Sequence, residues 1–362
     1  SKATAGVGGV VSVRVTDTDA NILANSAAIA AAGATPVLTG TSTVAEALAA
    51  IASNAAITFA LVDTAANLAL ATTNVFVNAA SVEATGDTTA VQATQIETII
   101  ATANASRAVN LAAGTVTYNV TDTASNVANY QAALGFADSV TTTGQSTVAQ
   151  TVNTDLLTGA VFSTTDTASA LATAAGLAGA PGVAAVAALD NAVANTVSGG
   201  ASVSQIDTIN AATSQDVESG YKLEDSYANL VTGTSTGSAA AAAAVTGSAG
   251  NITLTGGSLN VTEARTIEAL GNSGTNAYVV ADTISNVLTA PSSVTSSTLA
   301  VSTSDATITA AQANALLAKY GAAVVSDTSF VINDTAANLT TATAASIAEA
   351  QNAGGVTVST GT

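Results

Sequence analysis

Apolar and polar residues follow two different periods in turn along the chain. Runs of β-branched and aromatic residues of strand length, such as residues 57–62 and 116–120, end at an aspartate. Beyond that aspartate, alanine, asparagine and leucine recur at helical spacing, as in Ala65, Ala66 and Leu68. The pattern predicts a repeated order of strand, polar turn, short helix and loop.

The polar turn after many of the strands is a recurring motif, which we call the Asp box. It consists of Asp-Thr or Asp-Ser, two further residues, Asn and an apolar residue. Successive aspartates are 44 to 59 residues apart. The boxes begin at Asp17, Asp63, Asp122, Asp166, Asp225, Asp282 and Asp334, and their asparagines are Asn21, Asn67, Asn126, Asn229, Asn286 and Asn338. The fourth box departs from the pattern because it has Ala170 in place of asparagine.

A second motif lies in each gap between Asp boxes. It is the capping box, in which a Ser, Thr or Asn and a Glu or Gln three residues later each satisfy a backbone N–H of the first helical turn. The six copies are Thr43/Glu46, Thr89/Gln92, Thr147/Gln150, Ser202/Gln205, Asn260/Glu263 and Thr309/Gln312. Their unbroken alternation with the Asp boxes predicts a repeat architecture rather than isolated helix starts.

The repeat length predicts an α/β solenoid of about thirteen strand-and-helix coils, with parallel strands stacked on one face and short helices on the other. We expect one array over residues 1–362, with Gly-, Ala- and Ser-rich insertions at 176–188 and 231–250. Two or three separate α/β domains are the competing architecture, which the alternation disfavours. A β-sandwich adhesin fits poorly because the Ala-Asn-Leu stretches have helical spacing.

The repeated aspartates and asparagines have structural and functional interpretations. Aspartate is a strong helix N-cap, so Asp63, Asp122, Asp166, Asp282 and Asp334 are predicted to be structural caps. The asparagines are predicted to stack inside the solenoid and bond the backbone of neighbouring turns. The alternative is Ca²⁺ binding by carboxylates that are close in sequence, for which the candidates are Asp17, Asp19, Glu224 and Asp225.

Composition narrows the classes of function. Charged residues make up 8% of the chain and the net charge is −18, which disfavours partners such as nucleic acid and anionic lipid. The absence of histidine and cysteine removes histidine-based triads and thiol nucleophiles. No catalytic residue and no cofactor other than Ca²⁺ are predicted. Membrane insertion is not predicted either, because the apolar stretch 239–245 is too short to cross a bilayer. A carbohydrate-active enzyme, which would need only a pair of catalytic carboxylates, is kept as a third hypothesis for comparison.

Two Asp boxes, Val62-Asp63-Thr64-Ala65-Ala66-Asn67-Leu68 and the copy at 333–339, resemble a repeat of very large exported bacterial proteins. The stretch 307–313 resembles the alternate half of that repeat. Such proteins include S-layer-like, haemolysin-type and giant adhesin proteins. The resemblance implies an extracellular location, type I secretion and a role in a coat, filament or adhesive surface. The calcium-binding nonapeptide G-G-x-G-x-D of many such exporters is absent from this sequence.

The resulting expectation is a secreted structural protein of the bacterial cell surface that assembles with itself into an S-layer, sheath or filament. Residues 6–11 and 354–358 are predicted to be strands that pair with another copy, and cell-surface polysaccharide is a further expected partner. Residues 1–15 do not resemble a signal peptide, so we expect a removed leader or a C-terminal export address. The alternative function is a repeat stalk or binding segment of a giant adhesin. A threonine-rich ice-binding face is disfavoured because the threonine positions vary.

Overall fold

The computed structural model describes residues 13–112, 114–325, 330–353 and 355–359, with the backbone alone for Asp19, Asn352 and Ala353. The predicted strand at 6–11 lies outside this described part. Strands and helices alternate along the chain, and the sheets are built from parallel strands, which confirms the α/β class. The described chain divides into two compact units, residues 1–164 with 187–194, and residues 165–186 with 195–362. The prediction of a single array over 1–362 stays a prediction.

The first unit contains one seven-stranded sheet in which every strand pairs in parallel with the next strand along the chain. Its strands are β1 (Arg14–Asp17), β2 (Thr35–Ser42), β3 (Thr58–Thr64), β4 (Ala79–Thr88), β5 (Val116–Thr123), β6 (Ser139–Thr143) and β7 (Ala160–Val161). Its helices are α1 (Asp19–Ala24), α2 (Ser26–Ala31), α3 (Val44–Ser53), α4 (Ala65–Ala69), α5 (Thr73–Asn78), α6 (Ala90–Asn104), α7 (Ala124–Tyr130), a 3-10 turn (Gln131–Ala133) and α8 (Val148–Asp155).

The part of the chain from β8 onwards, which contains most of the second unit, repeats the same local order in shorter sheets. A five-stranded and a three-stranded sheet are parallel and again follow chain order, and β8 and β9 form a further pair. The strands are β8 (Thr164–Thr167), β9 (Asn195–Ser198), β10 (Gly200–Ala201), β11 (Lys222–Asp225), β12 (Ile252–Leu254), β13 (Asn276–Asp282), β14 (Thr298–Thr303), β15 (Thr307–Ile308), β16 (Val331–Asp334) and β17 (Val356–Val358).

The helices of this part of the chain are short. They are α9 (Ala168–Gly176), α10 (Ala180–Asn191), α11 (Val203–Ala212), α12 (Tyr227–Thr232), α13 (Ala239–Ser248), α14 (Val261–Glu268), α15 (Ile284–Thr289), α16 (Ser292–Ser297), α17 (Ala310–Tyr320), α18 (Ala336–Leu339) and α19 (Ala344–Ala353).

Two kinds of helical connection alternate along the chain, whereas β7 and β8, β9 and β10, and β14 and β15 follow each other without a helix. After an Asp box the chain forms two helical segments before the next strand, as with α4 and α5 between β3 and β4. After a capping box it forms one helix, as with α6 between β4 and β5. The stretches 176–188 and 231–250, which were predicted to be insertions, overlap α10 and α13, and these are the second helices of their Asp-box connections. Runs of alanine and glycine concealed these helices, because such runs have little amphipathic contrast.

The core of the first unit lies on one face of its sheet. In β5 the side chains of Val116, Tyr118 and Val120 are buried, whereas the residues between them are half-buried or exposed. Helix α6 covers this face with small and branched side chains, among them Ala93 and Ile96, which are fully buried. Alanine at the contacts lets a thin layer pack closely without voids.

Candidate functional site

Each Asp box is a fixed set of hydrogen bonds at the start of a short helix. The N-cap is the Ser or Thr after the aspartate, so the prediction that the aspartates are N-caps is wrong by one position. In the second box, the Thr64 hydroxyl accepts a hydrogen bond from the Asn67 N–H at 3.3 Å. The Asp63 Oδ1 atom accepts from the Thr64 N–H at 2.7 Å and from Asn67 Nδ2 at 2.8 Å.

The same arrangement recurs in the other boxes. The N-caps are Thr18, Thr64, Thr123, Thr167, Ser226, Thr283 and Thr335. In the fourth box Asp166 accepts from the Thr167 N–H at 2.8 Å, and Ala170 supplies no side-chain donor. A carboxylate beside a helix start is favoured by the positive end of the helix dipole.

The second carboxylate oxygen, Oδ2, accepts a hydrogen bond from the connection that precedes the Asp-box strand. Asp63 Oδ2 accepts a hydrogen bond at 2.9 Å from the N–H of Val44, the first residue of the capping-box helix α3. The same contact joins Ala90 to Asp122, Val203 to Asp225, Val261 to Asp282 and Ala310 to Asp334, at 2.9 to 3.1 Å. One carboxylate therefore binds N–H groups at the starts of two helices, one from each kind of connection.

Asp305 makes the equivalent contact from outside any box. Its Oδ2 atom accepts a hydrogen bond at 2.6 Å from the N–H of Ile284, the first residue of α15. Sequence analysis missed this residue because it belongs to neither motif. The only sequence signal is an acid four residues before the cap Thr309.

All six predicted capping boxes are confirmed, with both reciprocal hydrogen bonds present in each. In the first, the Glu46 carboxylate accepts from the Thr43 N–H at 2.8 Å while the Thr43 hydroxyl accepts from the Glu46 N–H. A glycine three residues before the cap recurs in five copies and was missed. It has a positive φ at Gly40, Gly86, Gly144, Gly199 and Gly257. The sequence signal is G-x-x-[S/T/N]-x-x-[E/Q].

The predicted asparagine ladder is wrong. Asn67, Asn126 and the other box asparagines donate to the aspartate four residues earlier, within their own box. Asn67 is exposed and Asn126 is half-buried, so neither lies in a stacked interior row. Each amide holds a carboxylate oxygen in place rather than bonding a neighbouring turn.

Hydrogen bonds lower the pKa of the box carboxylates Asp63 and Asp282. Partial burial by itself would raise the pKa of Asp63, but the donors Asn67, Val44 and Thr64 outweigh it and hold the pKa below its ordinary value. The pKa of Asp282 is lowered against the same opposing effect of burial by hydrogen bonds from Val261, Asn286 and Thr283. Asp63 and Asp282 are therefore anionic at neutral pH.

Of the predicted calcium ligands, Glu224 and Asp225 are not brought together. Glu224 and Asp225 are neighbours in β11, so their side chains point to opposite faces of the strand. Asp225 is buried and its oxygens accept from three N–H groups, while Glu224 forms an ion pair with Lys222. Asp17 lies in its own box, and the side chain of Asp19 is outside the described part. Among the described residues no three acidic, histidine or cysteine side chains form a metal-binding group, and Ca²⁺ stays a prediction.

Two of the six cationic side chains bind carbonyl groups at the C-terminal ends of helices, whereas the box carboxylates bind N–H groups at helix starts. Arg107 Nη1 donates to the carbonyl groups of Phe76 and Val77 at the end of α5. Lys319 Nζ donates to the carbonyl groups of Leu288 and Ala290 at the end of α15, at 2.7 and 2.6 Å. Both cations come from capping-box connections and satisfy helix C-terminal carbonyls of an Asp-box connection.

Two open surface depressions lie in the first unit. One, of about 280 Å³, is lined by Val44, Leu48, Leu70 and the Asp63–Asn67 pair. The other, of about 220 Å³, is polar and is lined by Glu83, Asn119 and Asp138 among others. The first contains a carboxylate whose oxygens are already hydrogen-bonded.

Comparison of the chain with models of protein families, with curated protein sequences and with solved structures found no match. In the described part of the chain, no helix has both the length and the apolar character needed to cross a membrane.

Proposed function

We propose that this chain is a self-assembling structural protein of a bacterial cell surface, built as an α/β solenoid. The observation that carries the proposal is the carboxylate joint between Asp-box and capping-box connections, which five aspartates repeat with one geometry. Each joint ties a layer of strand and helix to the layer before it. A column of such layers buries a continuous core between neighbouring layers and suits a coat, sheath or filament.

The order of the strands supports the solenoid. In each parallel sheet a strand is hydrogen-bonded to the strands that precede and follow it in the chain. Contacts restricted to neighbouring layers are typical of repeat arrays, whereas a doubly wound domain changes strand order within its sheet. The column that we propose continues this order along the chain.

The use of charged and polar side chains supports a structural role. The carboxylates of Asp63, Asp122 and Asp225 accept three N–H groups each, and Arg107 and Lys319 bind helix carbonyls. These hydrogen bonds stabilise layers, and the Asp63 carboxylate that lines the larger depression has both oxygen atoms occupied by N–H donors. The chain has no cysteine, methionine, tryptophan or histidine, and this composition, together with the resemblance to exported repeat proteins, supports an extracellular location.

Electron microscopy of the purified full chain tests the proposal. Filaments or sheets that grow with protein concentration support self-assembly. Isolated rods at every concentration support the alternative, a stalk segment of a giant adhesin, and compact isolated particles contradict the solenoid. A parallel series with a calcium chelator and with added Ca²⁺ tests the cation separately. Loss of assembly in chelator would show that Ca²⁺ bridges the acidic surfaces, whose net charge is −18.

A further inference from the structure

We propose that one pair of side chains in each layer decides which capping-box helix can pack against which Asp-box strand. The first side chain lies on the capping-box helix, eight residues after the cap. The second lies four residues before the box aspartate, in the following strand or beside it. We call these two side chains the matching pair. Their role in pairing the layers does not depend on whether the chain assembles with itself.

The strand position of the matching pair is aromatic in six of the seven boxes. The chain has eleven aromatic residues, five Phe and six Tyr, and six of them occupy this position. All six are buried, with at most 5% of each residue exposed. They are Phe59, Tyr118, Phe162, Tyr221, Tyr278 and Phe330. In a chain rich in small residues, this position therefore supplies much of the buried volume of each layer.

The choice between phenylalanine and tyrosine follows the residue on the helix. Both glutamates at the helix position are combined with tyrosine, whereas both aliphatic residues are combined with phenylalanine. These four pairs are Glu97 with Tyr118, Glu268 with Tyr278, Ile51 with Phe59 and Leu317 with Phe330. A hydroxyl group on the buried ring therefore accompanies a long carboxylate on the helix.

The tyrosine and the glutamate of a pair bind each other. The Tyr278 hydroxyl donates a hydrogen bond to Glu268 Oε1 at 2.7 Å, and the Tyr118 hydroxyl donates to Glu97 Oε1. Burial, followed by the hydrogen bond to the glutamate, raises the pKa of both tyrosines, so both phenols stay protonated and act as donors. A buried phenol needs an acceptor and a half-buried carboxylate needs a donor, so each side chain satisfies the other.

The two remaining pairs satisfy their polar groups with other partners. Asp155 is one methylene shorter than glutamate, is combined with Phe162 and accepts a hydrogen bond from Asn191 Nδ2 at 2.9 Å. In the pair that has an asparagine on the helix, the Tyr221 hydroxyl donates to the Val245 carbonyl group at 2.5 Å. The ring hydroxyl thus has an acceptor in each layer that carries one.

A helix packed against the wrong strand would break such a pair. Glu268 against a phenylalanine would lose its donor, and Tyr278 against a leucine would lose the glutamate acceptor, which is costly away from water. The carboxylate joint cannot make this distinction, because its donor is a backbone N–H that each capping-box helix has at its start. The matching pair therefore distinguishes layers that otherwise share the same two motifs.

A double-mutant cycle in the full chain tests the pair that joins α14 to β13. The variants are Glu268→Leu, Tyr278→Phe and the double variant, which recreates the natural combination of Leu317 with Phe330. In urea denaturation we expect each single change to raise the unfolding equilibrium constant about tenfold, and the double variant to raise it less than either. The matched control combines Tyr278→Phe with Thr262→Leu at an exposed position of α14, and its two effects should multiply.

The reverse exchange tests whether the rule transfers to another layer. Ile51→Glu should raise the unfolding equilibrium constant at least about tenfold, and adding Phe59→Tyr should reverse most of that rise, because it supplies the missing donor. Multiplying effects in either layer, as in the control, would overturn the proposal. Filament formation is no part of this measurement, so a chain that unfolds as expected but does not assemble contradicts the proposed function alone.

Discussion

The Oδ2 atom of Asp63 accepts a hydrogen bond from the backbone N–H of Val44 at 2.9 Å, across 19 residues of chain. This contact joins the end of β3 to the start of α3, which belongs to the connection before β3. A single side chain thereby fixes how two consecutive layers pack. It is also the most direct target for mutation.

Asp63→Asn should lower the free energy of unfolding by about 1.5–3 kcal/mol, because the substituted side chain loses a charged acceptor and presents an NH₂ group to the Val44 N–H. Urea unfolding followed by far-ultraviolet circular dichroism measures the change. The matched control is Asp87→Asn, which removes a carboxylate whose contact with the Thr121 hydroxyl is long, at 3.3 Å. The control should change stability by less than about 0.5 kcal/mol. Equal losses of unfolding free energy in the two variants would contradict a stabilising role for the contact between Asp63 and Val44.

Acid should weaken the fold through the same carboxylates. The pKa of Asp63 and that of Asp282 are lower in the folded chain than the ordinary carboxyl value of 3.8. The unfolded chain therefore takes up protons first as the pH falls. Their stabilisation is fully present above the ordinary carboxyl pKa and is lost as the pH falls through the depressed values.

Melting temperatures between pH 2 and 7 measure this dependence. They should be nearly constant from pH 7 to about 5 and fall steeply below about 4. Asp63→Asn should flatten the acid limb of the curve relative to the unsubstituted chain, since it removes one linked group. An acid limb of unchanged slope would show that other carboxylates control the transition.

The box asparagine should contribute modestly, because it supports a carboxylate from a half-buried position. Asn126→Ala is expected to cost about 0.5–1.5 kcal/mol, through loss of the 2.8 Å hydrogen bond to Asp122 Oδ1. Chemical denaturation measures the change, and a loss near zero would show that the Asn126 amide does not stabilise the Asp122 carboxylate.

The reverse change is available in the fourth box, where Ala170 replaces asparagine. Ala170→Asn should add a donor to Asp166 Oδ1, which already accepts the Thr167 N–H. We expect a gain of about 0.5 kcal/mol, since asparagine has a lower helix propensity than alanine and offsets part of the hydrogen bond. Ala170→Ser, whose side chain is too short for this contact, is the control and should give no gain.

Backbone packing between layers is tight around Gly274. A Cβ atom at this position would lie 2.6 Å from the Gly250 carbonyl oxygen and 2.3 Å from Asn251 Oδ1. Gly274→Ala should therefore destabilise the second unit by about 1–3 kcal/mol. Gly247, inside α13, has open space around its Cβ direction, so Gly247→Ala should be neutral or stabilise by up to about 1 kcal/mol. Thermal melts of both variants give the comparison, and similar losses would contradict the steric argument.

Sequence reasoning succeeded where the structure is local. Thr43 and Glu46 are three residues apart, and their contact is specified by one helical turn, so the capping boxes were predictable. The shift of the cap from Asp63 to Thr64 was not, because both residue types cap helices and the strand continues through the aspartate to Thr64. The box sequence alone does not decide which of the two neighbours leaves the extended conformation.

The contacts between layers could not be predicted from the sequence. The partner of Asp63 is a backbone N–H at Val44, which has no side-chain signature at all. The asparagine ladder failed for the related reason that a nearer acceptor, Asp122 for Asn126, outcompeted the neighbouring turn. Helix α13 was not predicted because it begins with six consecutive alanines from Ala239, which give its two faces the same hydrophobicity.

The alternation of two-helix and one-helix connections restricts how such a gene can change in length. Removing or duplicating a single layer would set two layers of the same kind beside each other and break a joint between carboxylate and backbone N–H. Removing or duplicating two consecutive layers preserves every joint. Recombination between repeats should therefore be tolerated in steps of about two layers, the 44 to 59 residues that separate successive box aspartates.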